Sequence, residues 1–440
     1  MNSSSSNRYL DRPIASAPWQ PAIARPWLSD QQWVSLIIVA SVSYQALLCF
    51  INSVLMPVSR PLLGMAEAVI MLMCLPLLAR RLLPGVLWLG AMAAAMLCLV
   101  WLINQQVTIK SFRDLAIPLC FFWLGCNIGQ LALADRALKL AIWVILAMGL
   151  FELWFLDYYT QWFDIFNYYV NVGALNPSAD FFMRDDRLLG NGMRPEGIGR
   201  TLLPQLLGPH RVSSVFLEPI ALGNFATLCA AWGLCRPQQE WRSGVFFVLA
   251  AIVMMVLCDS RFALMTVSAL ILLRLLVRGA LLNLCVLAPF AAIAALLCIG
   301  LLIPSEMGEM MVSDDLRGRL SYSGWSLLEF DLPQLFGIGH SDSYFDEGYA
   351  HSIASFGLPL ILLLWCSFWL LPFTTERGQR FRAMVSIYIA LILCISGTSF
   401  FALKTAGLLW FLVGCSLQNP AAINRAGTRL PLNRSNRYGE

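Results

Sequence analysis

Residues 258–264 read CDSRFAL: Cys258, Asp259, Ser260, Arg261, Phe262, Ala263, Leu264. Residues 244–258 are almost entirely apolar, and so are residues 262–277, apart from Arg274. This stretch admits two topologies. As one long helix, 244–277 would carry every later segment to the opposite side of a membrane. As two helices meeting at Asp259-Ser260-Arg261, it preserves the parity of the later segments. Each arm has about 15 residues, or roughly 23 Å at 1.5 Å per residue, against a hydrocarbon core of about 30 Å. The turn is therefore expected below the outer surface, on the floor of a depression. Residues 383–417 repeat the arrangement, with Gly397-Thr398-Ser399 and Lys404 at their break.

The rest of the chain has the same character. Of its 440 residues 58% are hydrophobic and 13% charged, where soluble domains carry about 25% charged residues. The composition predicts an all-α polytopic membrane protein. All 13 cysteines fall in apolar stretches, which argues against a disulfide framework or a zinc site. Residues 1–32 are polar and contain no short apolar core of a cleaved signal peptide. They are expected to form a disordered cytoplasmic tail, and residues 418–440 a second one.

Spans of about 20 apolar residues are expected at 33–55, 61–79, 82–103, 114–134, 138–156, 213–235, 243–258, 262–277, 281–303, 350–372, 383–399 and 403–417. Twelve crossings put both tails on one side of a single transmembrane domain, 33–417. With the tails inside, the inner segments hold Arg80, Arg81, Arg136, Lys139, Arg236, Arg242, Arg274, Arg278, Arg377, Arg380 and Arg382. The short outer turns hold only Arg60, Lys110, Arg113, Arg261 and Lys404. This is the positive-inside bias. Two outer loops are long, about 157–212 and 304–349, so the working surface is expected to face outward. No repeat relates the two halves.

Three clusters of polar residues lie at outer positions. Arg261 needs an anion, either Asp259 two residues away or a phosphate that fits the guanidinium fork. In His210-Arg211-Val212-Ser213-Ser214-Val215-Phe216-Leu217-Glu218-Pro219, a helix would place Arg211, Ser214 and Glu218 on one face. Glu218 would lie about two turns into the membrane, as a structural carboxylate or as support for Arg211 or a substrate hydroxyl. His351 opens a span, with Glu347 four residues earlier. It is either an interfacial helix-start residue or an imidazole oriented by Glu347. His340, in Gly337-Ile338-Gly339-His340, reads best as a turn residue. The aromatic run 158–169 suits either the interface or sugar stacking.

Three segments resemble the Wzy-type polysaccharide polymerases and the related O-antigen ligases: RVSSVFLEPIALGNF (211–225), DSRFALMTVSALILL (259–273) and LFGIGHSDSYFDEGYAHSIASFGLPLILLL (335–364). Their order and loop placement are more specific than any one of them. Within this superfamily the chain most resembles the xanthan-type exopolysaccharide polymerases. The resemblance implies a GT-C-like, metal-independent, inverting glycosyltransferase of the bacterial inner membrane, with no cofactor and its active site facing the periplasm. It would join oligosaccharide repeats carried on undecaprenyl pyrophosphate. Arg211 and Arg261 would bind the pyrophosphate, with Lys404 as a third cation. His351 would face the acceptor as general base, with Glu218 the next candidate. Glu347 and His340 would line the substrate site. Implied partners are the lipid-linked donor and acceptor, membrane lipids, a chain-length regulator and export machinery, and no nucleic acid. The family's spaced Arg…Gly pattern fits roughly from Arg211 to Gly223, but the second loop, with Arg317 and Arg319, departs from it. A ligase or a lipid-linked oligosaccharide flippase or transporter is the alternative.

Overall fold

The 258–261 break has a local cause. Asp259 takes the left-handed conformation, φ 46°, which Asp tolerates better than most residues and no helix interior accepts. Ser260 is extended and its Oγ accepts the Ala263 N–H, capping the next helix. These details come from a computed structural model, which describes residues 29–175, 184–185, 188–189, 192, 200–303, 316–339 and 348–417.

The early helices are α1 (Asp30–Val54), α2 (Arg60–Leu78), α3 (Pro84–Asn104), α4 (Ile109–Ile128), α5 (Leu131–Trp154), α6 (Leu156–Trp162) and α7 (Ile165–Asn171). A two-residue strand pair, Arg184–Asp185 with Leu188–Leu189, precedes α8 (Pro204–Leu207). Then come α9 (Pro219–Leu234), α10 (Trp241–Cys258), α11 (Arg261–Leu276), α12 (Ala288–Leu302), α13 (Leu316–Leu328) and α14 (Leu332–Leu335). The last are α15 (Gly348–Phe356), α16 (Leu358–Leu370), α17 (Glu376–Ile392), α18 (Thr398–Phe401) and α19 (Leu403–Ser416). Every expected span overlaps a helix, but 114–134, 213–235, 350–372 and 383–399 are each interrupted by non-helical residues. Among the described residues six stretches are long and apolar enough to cross a membrane, or seven if the bent pair α15–α16 is one span. Two more apolar helices, α9 and α19, are shorter. The architecture is that of an all-α polytopic membrane protein.

Close packing centres on α9 and on the α4–α19 pair. Both α10 and α11 pack against α9. Trp232 and Phe225 of α9 are fully buried. A Cβ on Gly223 would come within 2.6 Å of Ser260 Oγ, so glycine lets α9 reach the 258–261 turn. A Cβ on Gly125 would lie 2.3 Å from the Phe411 carbonyl, and one on Gly414 2.3 Å from that of Phe122. Small residues of this kind let membrane helices approach to backbone contact.

Several boundaries differ from expectation. Residues 211–218 do not form a helix: a 3-10 turn covers Ser214–Phe216, and Ser214 and Leu217 have positive φ. Pro219 disfavours helical backbone at Glu218, which is extended at φ −136°, ψ 125°. Arg211, Ser214 and Glu218 therefore do not share a face, and Glu218 stands at the N-cap of α9 rather than two turns deep. The expected span 350–372 bends by 105° between α15 and α16, at Gly357 with φ 75°. The two long loops are partly helical. The first contains α6, α7 and α8. The second contains α13, which lies so close to α12 that a Cβ on Gly324 would meet the Leu296 carbonyl at 2.3 Å.

Polar contacts gather the connections at two ends. At one end Arg80 pairs with Asp30, Arg136 with Gln31 (2.7 Å), and Asn127 with the Arg81 carbonyl (3.1 Å). Arg236 with Asp135, Arg377 with Glu240 (3.1 Å), and Arg382 with Asn283 (3.2 Å) continue that end. At the other, Asn104 Nδ2 donates to the Gly337 carbonyl (2.7 Å), Asp164 N–H to Ser53 (2.9 Å), and Tyr349 N–H to the Leu393 carbonyl (2.9 Å).

Candidate functional site

The C-terminus of α10 leaves carbonyls without helical partners, and the segment 200–212 supplies donors for them. Arg200 reaches the carbonyls of Val256 and Leu257 and also that of His210. Val212 N–H donates to the Leu257 carbonyl (3.1 Å). Arg211 Nε donates to the Cys258 carbonyl (3.1 Å), and Arg211 is 7% exposed. Two guanidinium groups thus stand at the negative end of the α10 dipole, where cations are stabilising. Asp259, 1% exposed, accepts from the N–H groups of Thr201 (3.1 Å) and Leu202 (2.9 Å). Arg261 is exposed and donates from Nε to Thr201 Oγ1 (2.9 Å). The turn itself is buried beneath this segment, with Arg261 projecting from its rim.

The segment is pinned from below by Glu152, near the end of α5. This carboxylate is 0% exposed and accepts from Ser213 N–H (2.9 Å), Ser213 Oγ (3.0 Å), Ser214 N–H (2.5 Å) and His210 Nε2 (3.0 Å). A carboxylate can only accept, so His210 carries its hydrogen on Nε2. Ser214 Oγ donates to the Ile145 carbonyl (2.6 Å).

Glu218 and Lys404 form the second centre. Lys404 Nζ lies 3.1 Å from Glu218 Oε2 and also donates to Gln45 Oε1 (2.8 Å) and the Phe216 carbonyl (3.2 Å). Tyr169 Oη donates to Glu218 Oε1 (2.7 Å). Lys404 is 5% exposed, while the Glu218 side chain is 29% exposed. Glu218 and Gly223 are five residues apart, so this centre sits about 7 Å along α9 from the Ser260 contact at 1.5 Å per residue.

His351 lies in the second turn of α15 and is half-buried. A Cβ on Gly397 would come within 3.2 Å of its Cδ2, so the imidazole rests against the break between α17 and α19. Lys404 lies on the far side of the same break. Glu347 and His340 lie outside the described residues. Among the described residues no group of three or more His, Cys, Asp or Glu is arranged to hold a metal ion.

Sequence reasoning gave no role to Glu152, Gln45, Glu67 or Asp114, and it read Arg113 only as an outer-turn cation, Tyr169 only as part of the aromatic run and Arg200 only as one of the first loop's arginines. Glu152 and Glu67 each had a signal, a lone carboxylate within an apolar helix, which is a functional candidate by default. Nothing local distinguishes Gln45 or Tyr169 from interfacial residues. A cavity of about 1330 Å³ opens between α3–α4 and α15–α16. Its walls are mostly apolar and include Arg81, Gln130 and Leu417 as well as Tyr349, Ser352 and Phe401. No protein family, curated protein or solved structure matches the chain.

Proposed function

We propose that this protein is a polysaccharide polymerase, joining undecaprenyl-pyrophosphate-linked oligosaccharide repeats at the outer face of a bacterial inner membrane. One observation carries the proposal: segments distant in sequence are joined by direct contacts at one end of the bundle. Arg211 bonds the Cys258 carbonyl, Gly223 touches Ser260, Glu218 pairs with Lys404, and Gly397 packs on His351. Of these contacts, Gly223 with Ser260 joins two of the segments that resemble the polymerases, and the others tie such a segment to Cys258, Lys404 or Gly397. Twelve crossings with both tails inside belong to the same proposal and rest on the Lys/Arg asymmetry of the connecting segments.

In this mechanism the exposed Arg261 guanidinium, with Thr201 beside it, receives the donor pyrophosphate. Arg211 holds the turn from beneath and adds its charge. An acceptor hydroxyl oxygen attacks the anomeric carbon, and the carbon–oxygen bond to pyrophosphate breaks with inversion. The electron pair leaves on the pyrophosphate, where Arg261 stabilises it, while Lys404 stays bonded to Glu218, Gln45 and the Phe216 carbonyl. The hydroxyl proton passes to His351 as general base. Pyrophosphate is already a good leaving group, so positioning two large substrates supplies much of the remaining rate.

The test is a deletion strain. Loss of the gene should end polymer formation while single lipid-linked repeats accumulate on the periplasmic side, and wild-type chain but not Arg261→Ala should restore polymer. Accumulation of repeats on the cytoplasmic side would instead favour a flippase or transporter. That second reading has its own observation, the 1330 Å³ apolar cavity with residues from both ends of the bundle in its walls.

A further inference from the structure

The apolar cavity between α3–α4 and α15–α16, about 1330 Å³, is larger than the roughly 300–1,000 Å³ of small-molecule pockets. It follows α4 from Ile128 to Leu115, about 20 Å at 1.5 Å per residue. One bilayer leaflet contributes about 15 Å of hydrocarbon, so the cavity is deep enough for a full acyl chain. Its far end is walled by Tyr349, Ser352 and Phe401, beside His351 and the break between α17 and α19.

Charge is confined to the opposite end. Arg81 is the one charged side chain in the wall among the described residues, and no carboxylate lines it there. The turn that carries Arg81 is fixed from α4, because Trp123 Nε1 (2.8 Å) and Asn127 Nδ2 (3.1 Å) both donate to the Arg81 carbonyl. The Arg81 side chain is exposed and has no ion-pair partner among the described residues, whereas Asp30 holds its neighbour Arg80. Pro84 and Gly85, which begin α3, and Leu131 and Ala132, which begin α5, line the cavity at this end. The positive ends of two helix dipoles add to the unpaired guanidinium at the entrance. An anionic phospholipid is complementary to this arrangement, with its phosphate at the interface and its chains beneath. Basic sites between transmembrane helices bind such headgroups.

We propose that the cavity is a binding site for one anionic phospholipid, its phosphate on Arg81 and its acyl chains running along α4 toward Tyr349 and Ser352. The isoprenoid donor suits the cavity less well, because its pyrophosphate belongs at the Arg261 end and the charge of the cavity lies at the other. The bound lipid packs between α4 and α15 and so supports the helix that carries His351. The inference rests on shape and charge, and it holds whether or not the chain is a polymerase.

The test is native mass spectrometry of purified full-length protein, titrated with dioleoylphosphatidylglycerol, which is anionic, or dioleoylphosphatidylcholine, which is zwitterionic. The first phosphatidylglycerol should bind at least about fivefold more tightly than phosphatidylcholine. Arg81→Gln should weaken phosphatidylglycerol about fivefold and leave phosphatidylcholine nearly unchanged. Gly85→Trp should weaken both by narrowing the entrance, and a Cβ added there meets nothing within 4 Å, so the backbone can stay in place. Dihexanoylphosphatidylglycerol should compete poorly, because its short chains leave most of the cavity unfilled. Equal binding of the two dioleoyl lipids, undiminished phosphatidylglycerol binding by Arg81→Gln, or competition by the dihexanoyl lipid as strong as by the dioleoyl form overturns the proposal. Displacement of phosphatidylglycerol by an equal amount of undecaprenyl phosphate also overturns it, and would assign the cavity to the isoprenoid. None of these readouts involves glycosyl transfer, so they stand apart from the test of polymerase activity.

Discussion

Replacing Glu152 with glutamine is expected to lift the segment over the 258–261 turn while the helical bundle stays folded. The carboxylate holds four donors, from His210, Ser213 and Ser214, and is 0% exposed. Glutamine keeps one acceptor oxygen and turns an NH₂ group toward backbone N–H donors that then have no partner. Removing one side of a buried charged network costs about 3–5 kcal/mol, the same order as losing two charge-assisted hydrogen bonds. That cost falls on residues 210–214, whose neighbours Arg211 and Val212 cover the carbonyls of Cys258 and Leu257. Cys258 is itself 0% exposed, so its thiol reacts only when the segment opens. At a factor of ten per 1.4 kcal/mol, opening-limited labelling of Cys258 by a membrane-impermeant thiol reagent should rise at least about 100-fold in E152Q. Peptide mass spectrometry separates Cys258 from the other cysteines. Labelling within about threefold of wild type, with helix content unchanged, would refute the idea that Glu152 pins this segment.

Three further outcomes are expected. Single cysteines introduced at Ser178 and Ser313 should react with an impermeant reagent from the periplasm, and those at Ser5 and Ser435 should not; the reverse pattern would turn the candidate site to the cytoplasm. Lys404→Met should destabilise the protein by about 1–3 kcal/mol, less than for a fully buried pair because Glu218 is partly exposed, and adding Glu218→Gln should recover more than half of the loss in a denaturation series. His351→Ala should lower turnover by about 10²–10⁴-fold with donor affinity nearly unchanged, and its pH–rate profile should lose the acidic limb; turnover within a few-fold of wild type would place the base elsewhere, with Glu218 next.

Much of the fold was legible because apolar runs report helices in a membrane directly. The break at Asp259-Ser260-Arg261 was found from parity alone, and its left-handed Asp259 and capping Ser260 explain it afterwards. What sequence reading lost were features set by distant partners. Glu218-Pro219 carried a warning against helix, yet the even spacing of Arg211, Ser214 and Glu218 looked like a face. The 316–328 helix was hidden by its polar composition, since Ser321, Ser323 and Ser326 are buried by close packing rather than by hydrophobicity. Gln45 and Tyr44 gain their meaning only when α2 and α19 close around α1.

The central claim is tested most directly by purified protein in proteoliposomes, supplied with undecaprenyl-pyrophosphate-linked repeats on one face. Wild-type protein should convert them to a ladder of longer lipid-linked chains only when the donor faces the Arg261 end. The Arg261→Ala protein should fold normally, since that side chain is exposed and surface substitutions usually change stability by less than about 0.5 kcal/mol, yet produce no ladder. Arg261→Lys should give a partial ladder, because a point charge lacks the guanidinium fork. A full ladder from folded Arg261→Ala, or transbilayer movement of the repeats with no elongation by the wild type, would contradict the account.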